Sequence, residues 1–290
     1  MHCLQRLSLR YPQLLLPIKQ GISQTNEYRN AVLRGKPVHR ELAFSLSEQD
    51  RLITYYTPAG EVEALLLANR DDFVHAYRAL AYRCESVDVL SSVGACIVSG
   101  LINWEKIRNH RMAWVEAGRA DWSSEYKRFI SDRNNYCDTL ILLSSGPYSS
   151  VPAEWIGMDE GVWKQRSIQI RLYHELTHFI CRKMMLDRED ALRDEIYADC
   201  IGLIAALGEY NELLAKLFLG IENGTYREGG RLAHYANGDI ENSVLIAQKW
   251  IQEASGRVCT IWNSARTTDW DGLSEKEKSG KVFDLLLKIN

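Results

Sequence analysis

Residues 174–178 read His-Glu-Leu-Thr-His, and residues 195–199 read Glu-Ile-Tyr-Ala-Asp. No other feature constrains the fold of this chain as tightly. Four residues along an α-helix advance about 6 Å, slightly more than one turn, so His174 and His178 project from the same face. Two imidazoles so placed can grip one Zn²⁺, with Glu175 beside them to handle a proton. A catalytic zinc takes three protein ligands and keeps one position for water, and Glu195 is well placed as the third. Asp199 falls on the same helix face as Glu195. Its expected role is to accept the free ring N–H of His174, fixing tautomer and orientation. With this composition both motifs would occur together by chance in roughly one chain in a thousand. We therefore read them as a site and not as a coincidence on two amphipathic helices.

The bulk composition sets the surroundings. The chain has 290 residues, enough for one large domain or two small ones with an ample core. Apolar residues make up 46% and charged residues 25%, as in ordinary soluble proteins. The net charge is −3 with no block of like charge, so nothing asks for nucleic acid or an anionic membrane. No stretch approaches 18 uninterrupted apolar residues, so no membrane span is expected. The N-terminus lacks a signal-peptide pattern and is expected to be mature protein. Seven scattered cysteines, odd in number and without CxxC spacing, suit buried free thiols in a reducing cytoplasm.

Periodicity supplies a coarse map. Residues 51–58 and 62–68 are expected as strands joined at Ala59-Gly60, and 71–84 as a helix. Residues 1–40 are poorly patterned, and 87–102 are ambiguous between states. Residues 104–130 read as helix broken near Gly118. Residues 139–143 form a short strand followed by the loop Ser144-Ser145-Gly146-Pro147. The HExxH helix should span 161–186 and the ExxxD helix 188–207. For the latter, Asp187 serves as N-cap, Glu189 and Asp190 stand in the first turn, and Gly208 closes the C-terminus. Residues 211–219 and 242–254 read as helices, 220–230 as a loop, and the C-terminus ends in a short helix.

Beyond the ligands, Glu195-Ile-Tyr-Ala198-Asp199-Cys-Ile-Gly202 resembles the ExxAD..G stretch of CAAX-type and stress-induced membrane gluzincins. Its ExxAD core is also similar to the cytoplasmic peptidases that cleave phage-type repressors. The resemblance is at the level of the gluzincin clan of zinc metallopeptidases and covers residues 172–202. It implies zinc at His174, His178 and Glu195, with Glu175 as the base. This chain departs from the membrane families in lacking their transmembrane helices and their longer insert before the third ligand.

The expected fold is α+β and mainly helical: a zincin-like metallopeptidase domain with a small mixed or antiparallel sheet and two metal-site helices. Residues 1–130 form an N-terminal α/β region of unassigned role and 131–290 the zincin-like catalytic region, unless the two are one continuous domain. The expected activity is zinc-dependent hydrolysis of a peptide or protein substrate; the alternative is a zinc-bearing regulatory protein without turnover. Oligomeric state is not legible. A hydrolase of this type also needs a donor for the tetrahedral oxyanion. Gluzincins place a His, Tyr or Arg downstream of the third ligand, where this chain offers His234 first, then Tyr226, Arg231 and Tyr235. The competing reading pairs Arg231 with a surface carboxylate and leaves His234 as an ordinary surface histidine. Gluzincins also bind substrate as an added strand, for which 139–143 is the candidate, or else it is a core strand. Cys181 and Cys200 read as small buried hydrophobes, His39, His75 and His110 as structural, and the tryptophans as core or interface.

Overall fold

The computed structural model describes residues 1–186, 190–236, 238–262 and 269–289. The chain is α+β and predominantly helical, and it divides into two compact units. The first gathers Met1–Thr54, Val62–Val89 and Cys96–Leu142, and the second Tyr55–Glu61, Leu90–Ala95 and Leu143–Asn290. No single chain position separates them. None of the described helices is long and apolar enough to cross a membrane.

The principal sheet is small and mixed, with strands β1 (Arg51–Thr57), β2 (Gly60–Leu67), β3 (Ala95–Ile102) and β4 (Cys137–Ser144) in the order β1-β2-β4-β3. The hairpin turn falls at Pro58-Ala59, one residue earlier than expected, where the Thr57 hydroxyl donates to the Gly60 carbonyl at 2.7 Å. β4 lies between β2 and β3, so neighbours already hydrogen-bond both of its edges. It is therefore a core strand, and the expectation that residues 139–143 offer an edge to substrate is corrected. The burial agrees: Leu140 to Leu143 are all buried, as expected for a strand covered on both faces.

The first unit buries a cluster built on its poorly patterned N-terminus. Leu4, Leu7, Tyr11, Leu14 and Leu16 point into it from the helix Cys3–Arg10 and the 3₁₀ turn Pro12–Leu15. The Tyr11 hydroxyl and the Asn103 amide both donate to Asp138 at 2.6 Å. The region read as ambiguous resolves into coil followed by β3, and residues 104–130 form two helices, Trp104–Glu116 and Trp122–Ile130.

The second unit is organised on the two motif helices. The HExxH helix, Glu160–Met184, starts where the Asp159 carboxylate accepts from the Gly161 and Val162 amides, and it ends at Met185 in the left-handed region. Asp159 fills two orphan N–H groups, and Arg182 and Lys183 in the last turn complement the helix dipole. The ExxxD helix, Ala191–Leu207, is capped by Asp190; the expected cap Asp187, with Arg188 and Glu189, lies outside the described residues. Gly208 closes it at φ 75° as expected. Residues 195–206 of this helix are buried almost without interruption, so neighbours surround it. Helices Glu212–Leu219, Ile240–Trp262 and Glu275–Ile289 complete the unit. Residues 220–230 hold a two-residue ladder, Ile221–Glu222 against Thr225–Tyr226, within the expected loop.

Gly202 sets how closely the motif helices approach. A Cβ there would stand 2.7 Å from the Ile170 carbonyl oxygen, a backbone atom that cannot swing aside. Gly202 is three residues past Asp199, and Ile170 four residues before His174. This close approach lies one turn from the site and helps bring the ExxxD carboxylates against the HExxH imidazoles.

Candidate metal centre

His174, His178 and Glu195 converge. The His174 and His178 Nε2 atoms are 3.1 Å apart. His174 Nε2 lies 3.2 Å from one Glu195 carboxylate oxygen and His178 Nε2 3.2 Å from the other. Donors held tetrahedrally at zinc distances of about 2.0–2.2 Å sit roughly 3.3–3.6 Å apart, close to this spacing.

The hydrogen bonding on the outer side of His174 decides what the cluster wants. Asp199, 1% exposed, accepts from three directions: His174 Nδ1 at 2.8 Å, the Tyr148 hydroxyl at 2.6 Å and Arg231 Nη2 at 2.6 Å. A carboxylate so surrounded only accepts, so the His174 proton sits on Nδ1. A neutral His174 then turns the Nε2 lone pair towards Glu195. Lone pair and carboxylate repel unless a cation lies between them. Burial works against a charged His174, but its bonds to Asp199 and Glu195 outweigh that and lift its pKa to about 10. Without a metal the ring holds a proton; the same field would favour a divalent ion.

The neighbouring groups are tuned in the same sense. Burial alone would raise Glu195, yet the bonds and charge of His174 and His178 hold it well below the usual carboxylate range. Burial likewise opposes ionisation of Asp199, but Arg231 and His174 keep its pKa depressed. Glu175, 6% exposed, is pushed up by burial, with the two imidazoles pulling it back. A cleft of about 460 Å³ reaches His178 and Glu195, with Cys181, Met185, Leu186 and Ala191 as apolar walls and Arg182 and Asp194 as charged ones.

Tyr148 has no counterpart in the sequence reading. Arg171, on the HExxH helix, donates to the carbonyls of Ser144, Gly146 and Pro147, and so ties the loop after β4 to the helix that carries His174. The Ser167 hydroxyl accepts from the Tyr148 amide at 2.9 Å. Tyr148 thereby comes to share Asp199 with His174. Burial keeps its hydroxyl protonated, with a pKa well above the ordinary value. The only available signal was the loop sequence SSGPYSS beside a strand end, which does not say where the ring points.

The downstream segment separates into three roles. Arg231 lies beneath the site, its guanidinium on Asp199, on the Tyr148 hydroxyl at 2.6 Å and on Ser149. It pairs with a buried carboxylate, not with a surface one. The Tyr235 hydroxyl donates to Glu195 at 2.8 Å. Tyr226 instead donates to the Gly230 carbonyl at 2.9 Å and shapes its own loop. His234 is exposed, and its side chain hydrogen-bonds to nothing among the described residues. Cys181 and Cys200 are buried free thiols.

Residues 2–278 match the model of a family of unknown function, DUF7005. The chain belongs to that family. The DUF7005 match takes in every residue of the cluster and extends through both units. Comparisons with curated proteins and with solved structures gave no match.

Proposed function

We propose that this chain is a zinc-dependent peptidase acting on a peptide or small protein. One observation carries the reading: three donors converge beside a cleft while the remaining nitrogen of His174 is locked onto a buried carboxylate. That is the arrangement a two-His, one-carboxylate metal site needs. Zn²⁺ bound there would supply a Lewis acid that lowers the pKa of water towards neutrality and polarises a carbonyl. His174, His178 and Glu195 would hold it. Asp199 fixes the His174 tautomer and Arg231 keeps Asp199 charged. The Glu175 carboxylate accepts the proton of the attacking water and delivers it to the leaving amine. Its raised pKa brings it nearer the optimum for a base at neutral pH. Tyr235, not His234, is the donor for the developing oxyanion. Its hydroxyl already sits at Glu195, and burial keeps it protonated.

The test is a panel of Glu175→Gln, Tyr235→Phe and His234→Ala assayed on a peptide library, with zinc content and melting temperature measured on each. Glu175→Gln should retain metal and fold while turnover falls by about 10²–10⁴-fold. Tyr235→Phe should lower kcat with metal intact, and His234→Ala should leave kcat near wild type. Unchanged turnover in Glu175→Gln would remove the proposed base. A wild type that holds zinc but cleaves no peptide would turn the reading towards a regulatory protein.

A further inference from the structure

The first unit contains a cavity of about 680 Å³ that plays no part in the chemistry above. Its walls come from segments far apart in sequence: residues 23–33, the end of the helix Arg70–Ala81, β3, and the approach to β4. Buried apolar side chains line it, including Tyr28, Val32, Leu80 and Leu101. Three arginines reach it from three of those segments: Arg29, Arg83 and Arg133. Among the described residues no acidic side chain lines the cavity, and none of the three arginines forms an ion pair. Arg10, Arg40 and Arg128 of the same unit all have carboxylate partners.

The backbone accommodates these cations. Gly100 interrupts β3 at φ 77°, and a Cβ there would come within 2.6 Å of Arg133 Nη2. The missing side chain is what lets the guanidinium lie against the strand. Arg83 holds a left-handed φ of 54°, a strained conformation for a non-glycine residue. Strain of this kind clusters at ligand clamps. Gln13 also lines the cavity at 4% exposure, and its side-chain oxygen has no hydrogen-bond partner. A buried orphan acceptor calls for a donor.

We infer that this cavity is a binding site for a small organic polyanion, either a phosphate ester or a polycarboxylate. Planar guanidinium groups match both oxyanions with paired N–H donors. Arg29, Arg83 and Arg133 are exposed and carry no acidic partner among the described residues, so they are free to meet a ligand that bears two or more negative charges. The apolar lining takes the ligand's carbon body, and Gln13 accepts from a ligand hydroxyl or amine. The volume falls within the range of small-molecule sites, about 300–1,000 Å³. This inference rests on the first unit alone and is independent of the peptidase reading.

Titration calorimetry on the full-length chain tests it, with pyrophosphate, adenosine monophosphate and citrate as probes. At least one probe should bind with a Kd below about 1 mM. Arg83→Gln and Arg133→Gln should each weaken that binding by about tenfold or more, with melting temperature and metal content unchanged. Both arginines are exposed, so the variants should fold. Arg133→Lys, which keeps the charge but loses the fork, should weaken binding less than Arg133→Gln. Binding of the phosphate probes without citrate identifies a phosphate ligand, and the reverse identifies a carboxylate one. Absence of binding by all three probes, or equal binding by wild type and both glutamine variants, would overturn the inference.

Discussion

At the scale of single residues, Asp199 does the most for the site without belonging to the three-donor cluster. It serves His174, Tyr148 and Arg231 at once, from a fully buried place. Asp199→Asn would turn an amide NH₂ towards at least one of these donors and leave the Arg231 charge uncompensated. Breaking a buried pair from one side costs about 3–5 kcal/mol, so the variant should melt well below wild type. Metal affinity should also fall, by roughly 10–100-fold, because His174 loses its orientation. Calorimetric melting with metal titration checks both; an unchanged melting temperature would contradict the buried pairing. The His174 shift carries its own consequence. Its folded-state pKa of about 10 stands above an ordinary value of about 6.5, so its proton stabilises the metal-free chain. That stability is fully present below about pH 6.5 and is lost as pH rises through about 10. The chelated protein should melt progressively lower across this window, and a flat or rising melting temperature would contradict it. The convergence of His174, His178 and Glu195 was legible because i, i+4 spacing puts both imidazoles on one helix face and the ExxxD motif that follows supplies a carboxylate on the next helix. Tyr148 and the separate roles of Arg231, Tyr235 and His234 were not, because loop side chains take their direction from tertiary contacts such as the Arg171 clamp.

At the scale of elements, the two motif helices depend on the close crossing at Gly202. Gly202→Ala places a methyl group 2.7 Å from the Ile170 carbonyl, so the helices must separate. Forced separation in a packed core costs about 1–3 kcal/mol. Because the crossing lies one turn from His174 and Asp199, metal affinity should fall together with melting temperature. Full stability with full metal affinity would show that the helices can slide. Both helices could be read from the sequence, since long helices leave a strong pattern, and Gly208 marked the end of the ExxxD helix by its residue type. The N-terminal core could not. Leu4, Leu7, Tyr11 and Leu14 are buried, but a 3₁₀ turn follows the first helix and a π-helical turn spans Arg29–Leu33, so no single period runs through. For 139–143, the sequence itself favours the core-strand alternative. Its unbroken apolar run belongs to a strand covered on both sides, whereas edge strands alternate or carry charge.

At the scale of the whole molecule, a single family match spans two compact units. The His174, His178 and Glu195 cluster is built within the second and the arginine-lined cavity within the first. The proposed role of the His174, His178 and Glu195 cluster is to hold a metal ion. Metal analysis of protein purified without chelator tests this directly, on wild type and on His178→Ala. About one zinc per wild-type chain should remain after dialysis against a mild chelator. His178→Ala should lose most of that zinc, since two remaining donors cannot hold the ion tightly. A metal-free wild type, or a His178→Ala variant that keeps stoichiometric zinc, would contradict that role.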